Sequence, residues 1–310
     1  MNSFNADRRR CLLATAGLVA TSLLPSSLYA RAGRSLRLVR QIPGHDEYIP
    51  VIGMGSWGTF DIGDDAQLRR DRLPVLQQFF ADGGTLIDSS PMYGSSEQNL
   101  GWCLQRMEKP PVFSATKVWT RGAARGIEQM QASQSLWGTG PFDLMQIHNF
   151  TDWETHLETL REWRDEGRIR YIGITTSHGR RAEDMARVIA KEPDIDFVQF
   201  TYNIADRDAE KTLLPLALEH GKAVIINRPF QRKALIHAVE GEPLPAWASE
   251  FECENWPQFL LKYIASHPAV TCVIPATSRV DHMIENMGAC YGMLPDEKLR
   301  RRMVSYFESI

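Results

Sequence analysis

Eight apolar runs, most of them near-continuous and each followed by a segment with helical spacing, constrain this chain more than any other feature. They cover residues 51–55, 85–88, 112–117, 144–148, 171–175, 197–202, 223–227 and 271–275. Unbroken rather than alternating hydrophobicity is expected of parallel strands covered by helices on both faces. Between the runs, Trp153, Leu157, Leu160 and Arg164 follow an i, i+4, i+7, i+11 stripe, with Asp152 at the N-cap position and Gly167 as a stop. Further helices are predicted at about 180–191, 209–220 and 256–266, each closed by a following Pro or Gly. Pro74 predicts a helix start or kink after Asp64, and 295–307 reads as an added helix packed outside. Eight βα units in roughly 250 residues match a single-domain α/β TIM (β/α)8 barrel. A doubly wound open sheet would need a glycine-rich turn opening a helix. Gly53-Met54-Gly55-Ser56-Trp57-Gly58 instead continues into Thr59-Phe60-Asp61.

Residues 1–32 stand apart from the barrel, which is expected over 33–310. Arg8-Arg9-Arg10 precede an apolar run from Cys11 to Leu24, too short to span a bilayer, and Ala30-Arg31-Ala32 reads as an A-x-A cleavage site. The segment resembles a twin-arginine (Tat) export signal. That resemblance implies the Tat machinery as a partner and a periplasmic location, or a cytoplasmic one if the signal is not functional. The whole chain carries a formal charge of −3. Four arginines against Asp7 make the first 32 residues +3, so the remainder is −6. A mildly acidic body without a basic block gives no reason to expect a nucleic-acid partner. No C-x-x-C pair or H-x-H motif occurs, so no metal is expected, and the four cysteines beyond Cys11 read as buried thiols.

In a barrel the active site gathers at the C-terminal ends of the strands. The second run ends at Asp88 with Tyr93 just beyond, the third in Thr116-Lys117, and the fourth in Ile147-His148. Each residue alone has an ordinary role: a helix cap, a loop aromatic, a snorkelling amine, a satisfied core histidine. Their equivalent positions in three successive units point to one site. A phenol is a weak acid at neutral pH, and a nearby ammonium held by Asp88 is expected to lower its pKa. Tyr93 and His148 would then polarise a substrate carbonyl as negative charge grows on its oxygen. No serine or cysteine is placed to attack the carbon, which leaves a hydride from a nicotinamide cofactor.

These residues lie in motifs that resemble the aldo-keto reductase family: Gly53–Thr59, Ile87–Glu97 with Leu100-Gly101, Ser114–Lys117, Asp143–His148, Gln199–Asn203, and Val273–Ser278 with Glu285-Asn286. The resemblance implies a TIM barrel, an Asp88-Tyr93-Lys117-His148 tetrad, a small-molecule carbonyl substrate, and NADP(H), or alternatively NAD(H), across the barrel mouth. A barrel that binds the cofactor without turnover, as a redox sensor or partner subunit, is the alternative. Cofactor contacts are implied at Trp57, Thr175, Thr176, Gln199, Asn227, Arg228, Pro229, Ile274, Pro275, Thr277, Ser278, Arg279 and Asn286. Trp57, Trp119 and Phe150 are candidates for an apolar substrate wall. Departures from the family pattern cluster at the cofactor. Thr175-Thr176 replace Ser-Asn, Ile226-Asn227-Arg228-Pro229-Phe230 lacks the usual stacking aromatic, and Ala276-Thr277 stand where a lysine often meets the 2′-phosphate. Arg279 is the nearest cation there.

Overall fold

The computed structural model describes residues 36–310. The expected export segment lies outside the described residues. The chain enters through an antiparallel hairpin, β1 (Val39–Gln41) and β2 (Tyr48–Pro50). Eight parallel strands follow in sequence order: β3 (Met54–Gly55), β4 (Leu86–Asp88), β5 (Phe113–Val118), β6 (Phe142–Ile147), β7 (Ile169–Thr175), β8 (Phe197–Thr201), β9 (Ala223–Asn227) and β10 (Val270–Val273). The sheet closes on itself where Ile52 bridges Val273, with Gly53 N–H donating to Val273 O at 2.8 Å and Gly55 N–H to Pro275 O at 3.0 Å. The predicted (β/α)8 barrel is therefore formed.

The strands sort their side chains by the period of two that a pleated backbone imposes. On β6, Met145 and Ile147 join the core between sheet and helices, whereas Leu144 joins the barrel interior. The interior cluster also holds Leu86, Phe113, Tyr171, Phe197 and Ile225, and is plugged from the N-terminal end by Ile42 and Ile49 of the hairpin. Continuing the same inward rows, by two residues on four strands and by four from Phe113 through Ala115, reaches Asp88, Lys117, Gln146, Gln199 and Asn227. The barrel interior thus changes from apolar to polar toward the C-terminal mouth. Gly173 permits this layer, because a Cβ there would meet Gln146 Cγ at 2.8 Å.

Ten helices are described: α1 (Ala66–Ala81), α2 (Ser96–Leu104), α3 (Ala123–Trp137), α4 (Trp153–Asp165), α5 (Ala182–Lys191), α6 (Leu213–Glu219), α7 (Ala234–Ala238), α8 (Trp256–Ala265), α9 (Val280–Gly288) and α10 (Glu297–Phe307). Three local expectations are refined. Of the start or kink expected at Pro74, the start does not occur there: α1 begins at the Asp65 cap and contains Pro74. The helix predicted over 209–220 is split into a 3-10 turn, Asp208–Lys211, and α6. Pro215 accounts for the split, since in one continuous helix its ring would strike the Lys211 carbonyl. Asp152 stands at the N-cap position of α4 as expected, but its side chain caps no helix N–H: its backbone is left-handed, and its carboxylate accepts from Gly122 N–H at 2.7 Å and Thr155 Oγ1 at 3.1 Å.

The added helix α10 is held by Arg300, whose guanidinium donates to Tyr202 OH (2.5 Å), Glu210 Oε1 (2.7 Å) and Ser266 Oγ (2.9 Å). Cys103, Cys253, Cys272 and Cys290 are free, buried thiols. No helix among the described residues is long and apolar enough to cross a membrane.

Candidate active site

A cleft of about 690 Å³ opens at the C-terminal end of the barrel, within the usual size range of small-molecule sites. Asp88 forms its floor. Its Oδ2 accepts from Lys117 Nζ at 2.5 Å, and its Oδ1 accepts from Gln146 Nε2 and Gln199 Nε2, both at 2.9 Å. Lys117 Nζ also donates to Ser89 O at 2.7 Å. Such a buried ion pair is tolerable only when further hydrogen bonds support it; here Asp88 accepts three and Lys117 donates two. Lys117 is fully buried and sits behind the cleft wall rather than lining it.

The loop after β4 turns on a bond from Tyr93 N–H to Ser90 O (2.9 Å), which brings the Tyr93 ring into the cleft. That ring meets His148 edge to face, 5.8 Å between centroids, and Lys117 Nζ lies 5.1 Å from its centre. His148 opens a 3-10 turn directly after β6, so the change of backbone direction points it into the mouth. The four residues expected at successive strand ends are thus neighbours.

The electrostatics differ from the sequence expectation. The Tyr93 phenol is pushed well above its ordinary pKa, first by burial and then by the Asp88 carboxylate. Lys117 does not lower it as expected, because Asp88 offsets the ammonium's field and the phenolate would lie in a poorly solvated pocket. Burial also pushes the Lys117 ammonium down, while Asp88 opposes that shift. His148 is lowered to about 3, by burial and then by Lys117, and is neutral at physiological pH. The pocket therefore holds a protonated phenol beside a neutral imidazole.

Of the cofactor positions expected from sequence, Trp57, Thr175, Thr176, Gln199, Asn227, Arg228, Pro229, Ile274, Thr277, Ser278, Arg279 and Asn286 line the cleft. Pro275 does not; its carbonyl closes the barrel. Thr176 uses its hydroxyl on Arg180 O at 2.6 Å, and its carbonyl accepts from Asn227 Nδ2 at 2.9 Å. Asn227 thus brings a carboxamide to the place where Thr176 has none. Trp57 stands at the rim beneath the Arg232 guanidinium, 4.2 Å away. Trp119 lies near the mouth, 6.4 Å from the His148 ring. Phe150 is not a wall residue: it is buried in the helix-facing core against Trp153.

The fold supplies more positive charge than the sequence suggested. Arg228, Arg232, Lys233 and Arg279 line the cleft against two carboxylates, Asp88 and Glu285. Arg279 is engaged by Asp281 (Nε to Oδ1, 2.9 Å), whereas Arg228 and Arg232 form no ion pair among the described residues. Burial and the neighbouring Arg232 push Arg228 down, with Asp206 opposing the shift. A cleft of this size, lined by phosphate-compatible cations and by carboxamides beside an acid, fits a nicotinamide dinucleotide. Among the described residues no group of three or more His, Cys, Asp or Glu is arranged to hold a metal.

Two site residues escaped the sequence reading. Gln146 was visible as a polar side chain in an apolar run, two residues before His148 and hence on the same inward row. Ser90 Oγ lies 2.9 Å from His148 Nδ1, across 58 residues of chain, and no local pattern signals that contact.

The family model for the Aldo/keto reductase family matches residues 51–302. Aldo-keto reductase str7 of Strobilurus tenacellus is 26% identical over 296 residues, covering 81% of this chain and 87% of that protein. Methylglyoxal reductase YeaE of Escherichia coli is 26% identical over 254 residues, covering 78% and 85%. Among solved structures, an aldo/keto reductase from Klebsiella pneumoniae in complex with NADP and acetate superposes with a TM-score of 0.73 at 24% identity, covering 86% and 94%.

Proposed function

This chain belongs to the aldo/keto reductase family, and on that premise we propose that it reduces aldehyde or ketone carbonyls to alcohols with a nicotinamide cofactor, Tyr93 giving the proton. When bound, the reduced nicotinamide supplies the hydride. Thr175, Gln199 and Asn227 would hold its carboxamide end, and Arg228, Arg232 and the Thr277-Ser278-Arg279 turn would take its phosphates. The NADP named with the Klebsiella pneumoniae structure supports that assignment.

The observation that carries the reading is the Tyr93 ring edge to face with His148 above the Asp88–Lys117 pair, where burial favours a protonated phenol and a neutral imidazole. Two hydrogen-bond donors directed at one carbonyl oxygen stabilise the charge that develops there as the carbon is reduced. The Tyr93 proton is then transferred to that oxygen. Asp88, itself held by Gln146 and Gln199, keeps Lys117 in place behind the phenol.

The test is NADPH consumption with a carbonyl panel that includes methylglyoxal, the substrate in the name of the Escherichia coli relative. Tyr93→Phe should reduce turnover by about 10²–10⁴-fold. It should leave the melting temperature nearly unchanged, because no protein group among the described residues hydrogen-bonds the phenol. Equal turnover in wild type and variant across the panel would refute the assignment. Arg8-Arg9 ahead of the short apolar run support a further reading, that the folded protein is exported to the periplasm by the Tat route.

A further inference from the structure

We propose that Ser90 is a positioning residue that fixes the tautomer of His148, so that the imidazole offers a proton on Nε2 to the cleft. The inference rests on the carbonyl-reducing site described above. Ser90 is fully buried, with its Oγ 2.9 Å from His148 Nδ1. The same Oγ accepts from Met92 N–H at 3.2 Å. With that donor in place, the hydroxyl hydrogen has one acceptor among the described residues, the Nδ1 lone pair. Were Nδ1 protonated instead, Ser90 Oγ would face two donors and its own hydrogen would be buried without a partner, a costly arrangement. The neighbouring Ser89 does not take the role: its Oγ accepts from Ser56 Oγ at 2.8 Å, and among the described residues the hydroxyl within hydrogen-bond distance of His148 Nδ1 is that of Ser90.

The tautomer matters because His148 lines the cleft while its Nδ1 faces the buried serine. Nε2 is therefore the nitrogen left for a ligand. Protonated, it donates to a carbonyl oxygen alongside Tyr93. Unprotonated, it would present a lone pair to that oxygen and repel it. Burial and Lys117 keep the ring neutral, so the proton cannot be supplied simply by making it an imidazolium.

The experiment uses the full chain labelled with nitrogen-15 histidine, with His148→Gln assigning the signal. In wild type the His148 proton should reside on Nε2. Ser90→Ala should give a mixture of tautomers and lower kcat about tenfold, with NADPH affinity by fluorescence titration unchanged. Ser90→Thr, which keeps the hydroxyl, should restore both. A proton on Nδ1 in wild type overturns the proposal, and so does a Ser90→Ala protein with unaltered tautomer and kcat. If Ser90→Ala does not fold, the wild-type spectrum still decides. Should wild type reduce no carbonyl, the functional reading fails, and the spectrum alone decides the role of Ser90.

Discussion

His148 shows how a single side chain links the site to stability. An unfolded histidine titrates near 6.5, whereas in the native barrel His148 is held down to about 3. Between those values the unfolded chain binds the proton and the native chain does not. Stability therefore falls as pH drops through that window, by up to about 5 kcal/mol from this residue. His148→Gln removes the contribution. Urea midpoints followed from pH 7 to pH 4 should decline less steeply in the variant than in wild type, and parallel slopes would contradict the burial argument. Asp88, Tyr93, Lys117 and His148 were all legible in the sequence, because an acid, a phenol, an amine and an imidazole closing apolar runs are conspicuous. The direction of the Tyr93 shift was not. It depends on how far Asp88 cancels Lys117 and how much water reaches the phenol, and neither is a property of spacing.

At the scale of elements, strands were read better than helices. A buried parallel strand needs a continuous apolar run, so each of the eight runs carried its own signal. Helix limits depended on neighbours. Pro215 broke the segment expected over 209–220, yet Pro74 was accommodated inside α1. The C-terminal helix was expected, but its clasp was not. Arg300 joins Tyr202 after β8, Glu210 in the following turn and Ser266 after α8. Arg300→Met should lower stability by about 2–4 kcal/mol in urea unfolding, because it leaves Glu210 and its hydroxyl partners without their cation. Carbonyl turnover at 25 °C should change little, since the clasp does not line the cleft. A loss of turnover without a loss of stability would show that α10 acts on the site instead.

For the whole molecule, the proposed export and folding bear on each other. A Tat route carries folded proteins, so a barrel of this kind would cross with its nucleotide already bound. Arg8→Lys with Arg9→Lys should leave the protein in the cytoplasmic fraction, while unchanged periplasmic delivery would discard the Tat reading. The sequence by itself determined the barrel class, the order of its strands and the four groups at their ends. Those follow from local rules: which runs are apolar, where each stops, and which side chain stands at the stop. Only the tertiary structure decided which polar atoms meet. Gln199 reaches Asp88 across 111 residues, Ser90 reaches His148, and Arg228 and Arg232 line the cleft with no ion pair among the described residues. Period-two alternation says that a side chain points inward, but contacts across the barrel depend on the register between strands and on closure. Charge inside the barrel depends in turn on the water that closure removes.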